Sequence, residues 1–481
     1  MKKLLLLLLS ATFFLTCFAG CGERGNEANT AGNADSVTEP ITEGPYELPS
    51  LDLDGAVISV LTPANKEWQC NPLTSALIPD VVAEAMATRN NFVQNAYDCE
   101  LNCIVKPGNA TAFSEAMTTE MQTQDGTYDI VFTDYWWNLE IHGYFKNLMD
   151  YDEVALDQPW YLQGWNDNAT IKGHLTGAVG YLSTQAMSDT AAVFYNKDTY
   201  SALFDRSLYE YVTAGQWDFE TMMEMASVAR VDVNGGGMDV DGANSTDKYG
   251  IALTRAGGRS LFYTAGSELF SVNEAGEPYY NYNTTRNVDI CDKIKTLYAQ
   301  EYLDYQINYS AAEKIFKEGR ALFALHNLSS GLAYRLVDGL NYGMVPFPKY
   351  DLTQTEYIAD NQGCCYTAIP VTVDNGKNSA IILNALHYYS YQFVKPVFFD
   401  TLLKVQVAKD PDASAMVDLV TNNIQVDFGF IYNNNLNAVT TGMMDIVEQD
   451  KGFVSYFSSM ETAVNESLRI LMTRYIDPNA A

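Results

Sequence analysis

The chain has little histidine and little positive charge. Its four histidines are His142, His174, His326 and His387. A zinc centre would therefore need cysteine ligands, and no C-x-x-C pair occurs. Lys and Arg number 29 against 60 Asp and Glu, a net charge of −31. That argues against nucleic acid or an anionic lipid surface as partner, since both require basic patches that neutralise phosphates. Beyond Cys21 no apolar run approaches the ~20 residues of a membrane-spanning helix. Catalytic signatures are also missing: there is no G-x-S-x-G, H-E-x-x-H, Walker loop or G-x-G-x-x-G. Asn327-Leu328-Ser329-Ser330-Gly331 is only loosely like a nucleophile elbow, because the first glycine is absent. A glycosidase needs just two well-spaced carboxylates, so a secreted carbohydrate-active hydrolase stays open as an alternative.

What is present begins at the N-terminus. Lys2 and Lys3 precede an apolar run from Leu4, and Ala19-Gly20-Cys21 closes it. A charged start, a short apolar middle and a small-residue exit read as a secretory signal over residues 1–20. The cysteine after Ala-Gly resembles a bacterial lipobox, with Phe18 where leucine is usual, and implies lipidation of Cys21 and anchoring at the cell surface. Residues 21–50 are rich in Gly, Asn, Thr, Glu and Pro and read as a flexible stalk. Six further cysteines, Cys70, Cys99, Cys103, Cys291, Cys364 and Cys365, leave disulfide pairing open.

At 481 residues the chain exceeds the roughly 250–300 at which single cores stop growing. Two lobes are expected. Val57–Leu61 is an apolar run bounded by Gly55 and Pro63 and reads as a strand. Val82, Met86, Val93 and Tyr97 fall at helical spacing behind Pro79. Cys99 to Val105 alternates like a strand, with Cys99 and Cys103 on one core face. A helix near Phe113–Met121 and a buried strand at Tyr128–Phe132 follow. This order predicts a largely parallel sheet covered on both faces. Further strands are expected at Ala191–Tyr195, Tyr249–Leu253, Ala321–Leu325, Gly343–Pro346 and Ala368–Val371. Helices are expected from Trp217-Asp218-Phe219 to about Ala229, with Asp218 as cap, at 284–300, at 311–318, after a Ser329 cap, and over most of the chain beyond Ser379.

Several segments together resemble the extracellular solute-binding proteins of ABC importers that take sugars (family 1 type). Tyr128-Asp129-Ile130-Val131-Phe132, with Gly143-Tyr144-Phe145-Lys146-Asn147-Leu148 downstream, is similar to a first-lobe strand and its sequel. Ala191-Ala192-Val193-Phe194-Tyr195-Asn196-Lys197-Asp198 resembles the segment after the first crossing. Gln216-Trp217-Asp218-Phe219, Phe316 to Phe323 and Tyr342 to Pro348 match three more, in order. The resemblance implies a two-lobe, periplasmic-binding-protein-like (type II) α/β fold. Its lobes are discontinuous, joined by crossing segments and hinged about a ligand cleft: 51–187 plus 363–405, and 188–362 plus 406–481. It implies no catalysis, no organic cofactor, a monomer, a small solute of oligosaccharide size, and an importer's membrane subunits as partner. A peptide or another small solute is the alternative cargo.

Open α/β sheets bind ligands beyond the carboxyl ends of their strands. That rule selects Asn65, Lys66, Glu67 and Trp68 after the first strand, then Asp134, Trp136 and Trp137, then His326 and Asn327. Aromatic rings stack on sugar faces, and carboxylates and amides bond hydroxyls. Equally, one tryptophan of the adjacent pair belongs to a core, Asp134 caps a helix, and His326 is a satisfied loop histidine. The loop Asp232–Asp241 resembles the start of a calcium loop, with Asp232, Asn234, Asp239 and Asp241 as ligands. It lacks the glutamate at the twelfth position, and the plainer reading is a solvated acidic turn.

Overall fold

β1 (Ala56–Pro63) forms where the sequence supplies Val57, Ile58, Val60 and Leu61, and it buries its second half. A computed structural model describes residues 46–70, 78–134, 142–239, 241–361, 363–403 and 411–476 of the chain. After β1 comes the four-residue α1 (Glu67–Cys70), then α2 (Asp80–Tyr97). Val82, Met86, Arg89, Val93 and Tyr97 make the buried stripe of α2. Its end is set by Asp98 in the left-handed region at φ 45°, whose N–H bonds the Gln94 carbonyl. β2 (Cys99–Lys106) and β3 (Ile130–Asp134) flank β1, with α3 (Ala110–Thr123) between them in sequence. The Asn109 side chain caps α3 by accepting from Ala112 N–H at 2.9 Å.

The first sheet runs in the order β11-β3-β1-β2, where β11 is Cys365–Ala368. β1, β2 and β3 are mutually parallel, as the strand–helix alternation predicts, and β11 is antiparallel to β3. β2 is an edge strand. Cys99 and Cys103 share a face as expected, but that face is only half-buried. The strand expected at Ala368–Val371 lies three residues earlier, because Pro370 has no N–H to continue a ladder and instead makes a single bridge to Phe145.

The second sheet has the order β10-β4-β9-β5-β8, from β4 (Ala191–Asn196), β5 (Tyr249–Thr254), β8 (Leu303–Gln306), β9 (Ala321–Asn327) and β10 (Tyr342–Val345). A short hairpin, β6 (Phe270–Val272) with β7 (Pro278–Tyr280), stands apart. This second sheet is mixed rather than parallel. β5 is parallel to β8 and β9, whereas β4 is antiparallel to β9 and β10. The cause is topological: β4 begins where the chain crosses from the first sheet, so it runs away from the crossing while β9 runs towards it.

The crossing itself is a pair of segments bridged at Thr190 and Asn361. Ala191 N–H donates to the Asp360 carbonyl at 2.8 Å. A third segment joins them through a parallel bridge between Ala359 and Ile424, with Gln425 N–H on the Ala359 carbonyl at 2.8 Å. Gly164 sits against this segment so closely that a Cβ would stand 2.2 Å from the Ile424 carbonyl oxygen. Both sheets belong to the unit Leu48–Ala481. Among the described residues no helix is long and apolar enough to cross a membrane.

The helix Phe219–Ala229 has the expected cap, Asp218, accepting from Thr221 N–H at 2.9 Å. Trp217 is fully buried and donates to the Pro346 carbonyl at 2.8 Å. Ser329 is the first residue of the helix Ser329–Tyr334 and not its cap; the flanking position is Leu328, and the Ser329 hydroxyl turns back to Asn327 Oδ1 at 2.7 Å.

Candidate functional site

Strand pairing brings the site together. Cys365 pairs with Asp134, so β11 starts beside the end of β3. Ala191 pairs with Asn327, so β4 starts beside the end of β9. The Thr190–Asn361 bridge joins these two places. The carboxyl ends of β1 and β3 from one sheet and of β9 from the other therefore meet at the crossing.

Lys66, just past β1, is the hub. Its ammonium lies 3.1 Å from Asp134 Oδ2 at the end of β3, and both side chains are only 13% exposed. It also donates to Gln185 Oε1 at 2.8 Å, an oxygen shared with Gln69 Nε2 at 3.2 Å. Gln185 Nε2 donates to Asp189 Oδ2 at 2.8 Å, and Ser188 Oγ to Asp189 Oδ1 at 2.9 Å. Burial pulls the Lys66 pKa down, but Cys365, Asp134 and Asp189 outweigh it and the net shift is upward. Burial pushes the Asp189 carboxyl up, against the hydrogen bonds from Gln185 and Ser188.

Across the crossing stands Tyr309, at the start of the helix Tyr309–Lys317. Its hydroxyl bonds Asn327 Oδ1 and lies 3.1 Å from Ser330 Oγ. Burial pushes its pKa up to about 12, and Asp189 contributes to that rise. Asp189 stands between the two sides: Gln185 links it to Lys66, and the adjoining Thr190 carbonyl takes Leu328 N–H, next to Asn327, at 2.9 Å. The result is a junction of ammonium, carboxylate, amide and phenol groups. Such a set bonds hydroxyls well in both directions.

The residues selected from the sequence fare differently. Asp134 and Asn327 lie at this junction. Asn65 is exposed beside Gly108, and Glu67 is half-buried at the start of α1. Trp68 belongs to α1. Trp136, Trp137 and Cys21 lie outside the described residues. His326 is completely buried, its Nδ1 3.0 Å from Ser330 Oγ and its ring edge-on to Tyr309. Burial, then Lys317, lowers its pKa to about 3. It braces Tyr309 and has no face open to a solute. Lys66 belongs to the first strand-end loop, whereas Gln185, Asp189 and Tyr309 follow none of the strands legible in the sequence. Tyr309 follows β8, a strand too short and too polar to be recognised, so the strand-end rule had nothing to act on.

In the acidic loop the side chains of Asp232, Asn234 and Asp241 are bonded within the loop itself. Asp232 accepts from Gly235 and Gly237 N–H at 2.6 and 2.8 Å, and Asn234 from Gly236 N–H at 2.8 Å. Asp241 accepts from Asn244 Nδ2 at 2.8 Å. Asp239 gives its N–H to Asp247 Oδ2 at 3.0 Å, and Asp247 also takes Val233 N–H at 2.9 Å. Among the described residues no group of three His, Cys, Asp or Glu side chains could hold a metal ion.

A cavity of about 300 Å³ lies elsewhere, beside the third crossing segment, lined by Asn168, Tyr263, Glu268, Gln354, Asn423 and Asp427 among others. It does not include Lys66, Asp134, Asp189 or Tyr309. The strand-end junction has the richer polar chemistry and is the candidate site.

No protein-family model matches the chain, and no curated protein is similar to it in sequence. Solved structures are similar in fold. The sugar-binding protein MalE from Xanthomonas citri aligns over 88% of this chain and all of its own, with TM-score 0.60 and 16% identity. A cyclo/maltodextrin-binding protein complexed with maltotetraose aligns over 88% of this chain and 98% of its own, with TM-score 0.54 and 12% identity. UgpB from Mycobacterium tuberculosis, in complex with glycerophosphocholine, gives 87%, 99%, 0.54 and 14% in the same terms. The chain has the two-lobe α/β fold of these solute-binding proteins, and these neighbours are binding proteins rather than enzymes.

Proposed function

We propose that the chain is a solute-binding receptor of an ABC importer, and that it holds a carbohydrate, an oligosaccharide, between its lobes and hands it on unaltered. The observation that carries this reading is the junction of Lys66, Asp134, Asp189, Tyr309 and Asn327 at the crossing of a solute-receptor fold. Carboxylates, amides and an ammonium at one place suit a ligand rich in hydroxyls. Strands of the first sheet come from 56–134 and 365–368, and those of the second from 191–345. This supports lobes of 51–187 plus 363–405 and 188–362 plus 406–481 that close about the crossing when solute binds. The chain is exported, loses residues 1–20, and is held at the membrane by a lipid on Cys21, with residues 22–50 as a stalk. At least one of the adjacent Trp136 and Trp137 is read as the aromatic contact to the sugar.

A thermal-shift screen of the full chain against sugars, peptides and polyamines tests the reading. A ligand at a hundred times its Kd stabilises by about 2.7 kcal/mol through mass action. Maltodextrins or related oligosaccharides should raise Tm and be recovered intact. A shift with peptides or polyamines alone, or cleavage of the sugar, would overturn it.

A further inference from the structure

Two of the described thiols stand together. Cys70 is the last residue of α1, and Cys103 lies on β2 opposite Val60 of β1. The turn after β1 folds α1 back over the edge of the sheet. Ala64 N–H donates to the Lys106 carbonyl at 2.8 Å, at the far end of β2. From α2, Arg89 Nη2 holds the Gln69 carbonyl at 3.0 Å and Asn90 Nδ2 holds the Cys70 carbonyl at 2.8 Å. One turn further along α2, Gln94 Oε1 takes the N–H of Leu101 on β2 at 2.9 Å, so Cys70 and Cys103 are neighbours against the same stretch of α2. Both residues are half-buried, within reach of a small reagent.

We propose that Cys70 and Cys103 are joined by a disulfide in the exported chain. Neighbouring thiols held by the same helix can reach an S–S separation of ~2 Å by side-chain rotation. The competing cysteines are badly placed. Cys99 is on the same strand, four residues and roughly 13 Å from Cys103, beyond the span of a disulfide. Cys364 and Cys365 are buried and donate to Asn361 Oδ1 at 3.0 Å and Gln185 Oε1 at 3.1 Å. Cys291 is buried in the helix Thr285–Tyr298.

The oxidant is an exchangeable disulfide, protein or small-molecule, of an oxidising compartment. The neighbouring Cys70 favours the thiolate of Cys103, which attacks one sulfur of the carrier and expels the other as a thiolate. Cys70 loses its proton and attacks the Cys103 sulfur of the mixed disulfide, expelling the second carrier thiolate. Two protein thiols are oxidised and one carrier disulfide is reduced to two thiols. The bond would fasten α1, which follows Lys66 and carries Glu67 and Trp68, to the edge of the sheet. The cross-link is independent of what the site binds.

The full chain, purified without reductant from an oxidising compartment, is alkylated, digested and mapped by mass spectrometry. A peptide pair joining Cys70 to Cys103, which separates on reduction, is expected. Reduction should lower Tm by a few degrees, to the level of Cys70→Ser and Cys103→Ser, and should leave the Tm of those variants unchanged. Cys70 and Cys103 recovered separately alkylated, or Cys70 joined to any other cysteine, would overturn the proposal. Because the mapping uses the unmutated chain, it decides even if a serine variant fails to fold.

Discussion

Asp427 should make the stability of this protein fall between mildly acid and neutral pH. It is 7% exposed and lines the cavity beside the third crossing segment. Burial pushes its pKa from 3.8 up to about 7, against the hydrogen bond from Leu269 N–H at 2.9 Å and with help from Glu268. The folded state therefore holds a proton between pH 4 and 7 that the unfolded state has released. Stability falls with pH wherever the folded state binds more protons, so the loss begins near pH 4 and ends near pH 7. Roughly three units at 1.36 kcal/mol each give a ceiling of about 4 kcal/mol. Asp427→Asn has no proton to lose. Its stability relative to the parent should rise across this window by about 2–4 kcal/mol. Urea denaturation of both proteins from pH 4 to pH 8 measures this difference. Any constant offset from the new amide nitrogen cancels in the slope. Parallel curves for parent and variant would refute the argument.

Lys66→Met should strip Asp134 and Asp189 of their cation. Breaking this largely buried pair should cost about 2–3 kcal/mol of stability and weaken solute binding at least tenfold by calorimetry. Gly164→Ala would drive a methyl group to 2.2 Å from the Ile424 carbonyl. Overpacking there should cost roughly 2 kcal/mol or more, read from the denaturation midpoint. Trp136→Ala and Trp137→Ala test the aromatic contact to the sugar. At least one should lose ~1 kcal/mol of affinity, the scale of an aromatic contact, and unchanged calorimetric affinity in both would exclude them from the site. Calcium or a chelator should leave Tm unmoved, since the side chains of Asp232, Asn234 and Asp241 are already bonded within their loop.

Much of the first sheet is legible in the chain. Val60-Leu61 and Ile130–Phe132 stand out because the buried parts of parallel strands are apolar on both faces, and α2 announces itself by a buried residue every third or fourth position. Trp217 and Asp218 behave as their local pattern suggests, one packed and one capping. β8 escaped notice because Leu303–Gln306 is four residues with two polar side chains, and the mixed direction of the second sheet is invisible to any local pattern. Cys364 and Cys365 had no sequence rationale either. Their bonds to Asn361 and Gln185 belong to the crossing.

The amino-acid order alone determined the α/β class and the loops that follow β1, β3 and β9, because apolar periodicity and strand-ending residues are local properties. Only the tertiary structure decided which polar groups share one place. Lys66, Asp134, Gln185 with Asp189, and Tyr309 come from four separate segments. They meet because β4 and β11 both start at the crossing, a long-range pairing that no window of sequence contains. The same pairing buries His326 and leaves Tyr309, which it supports, at the junction.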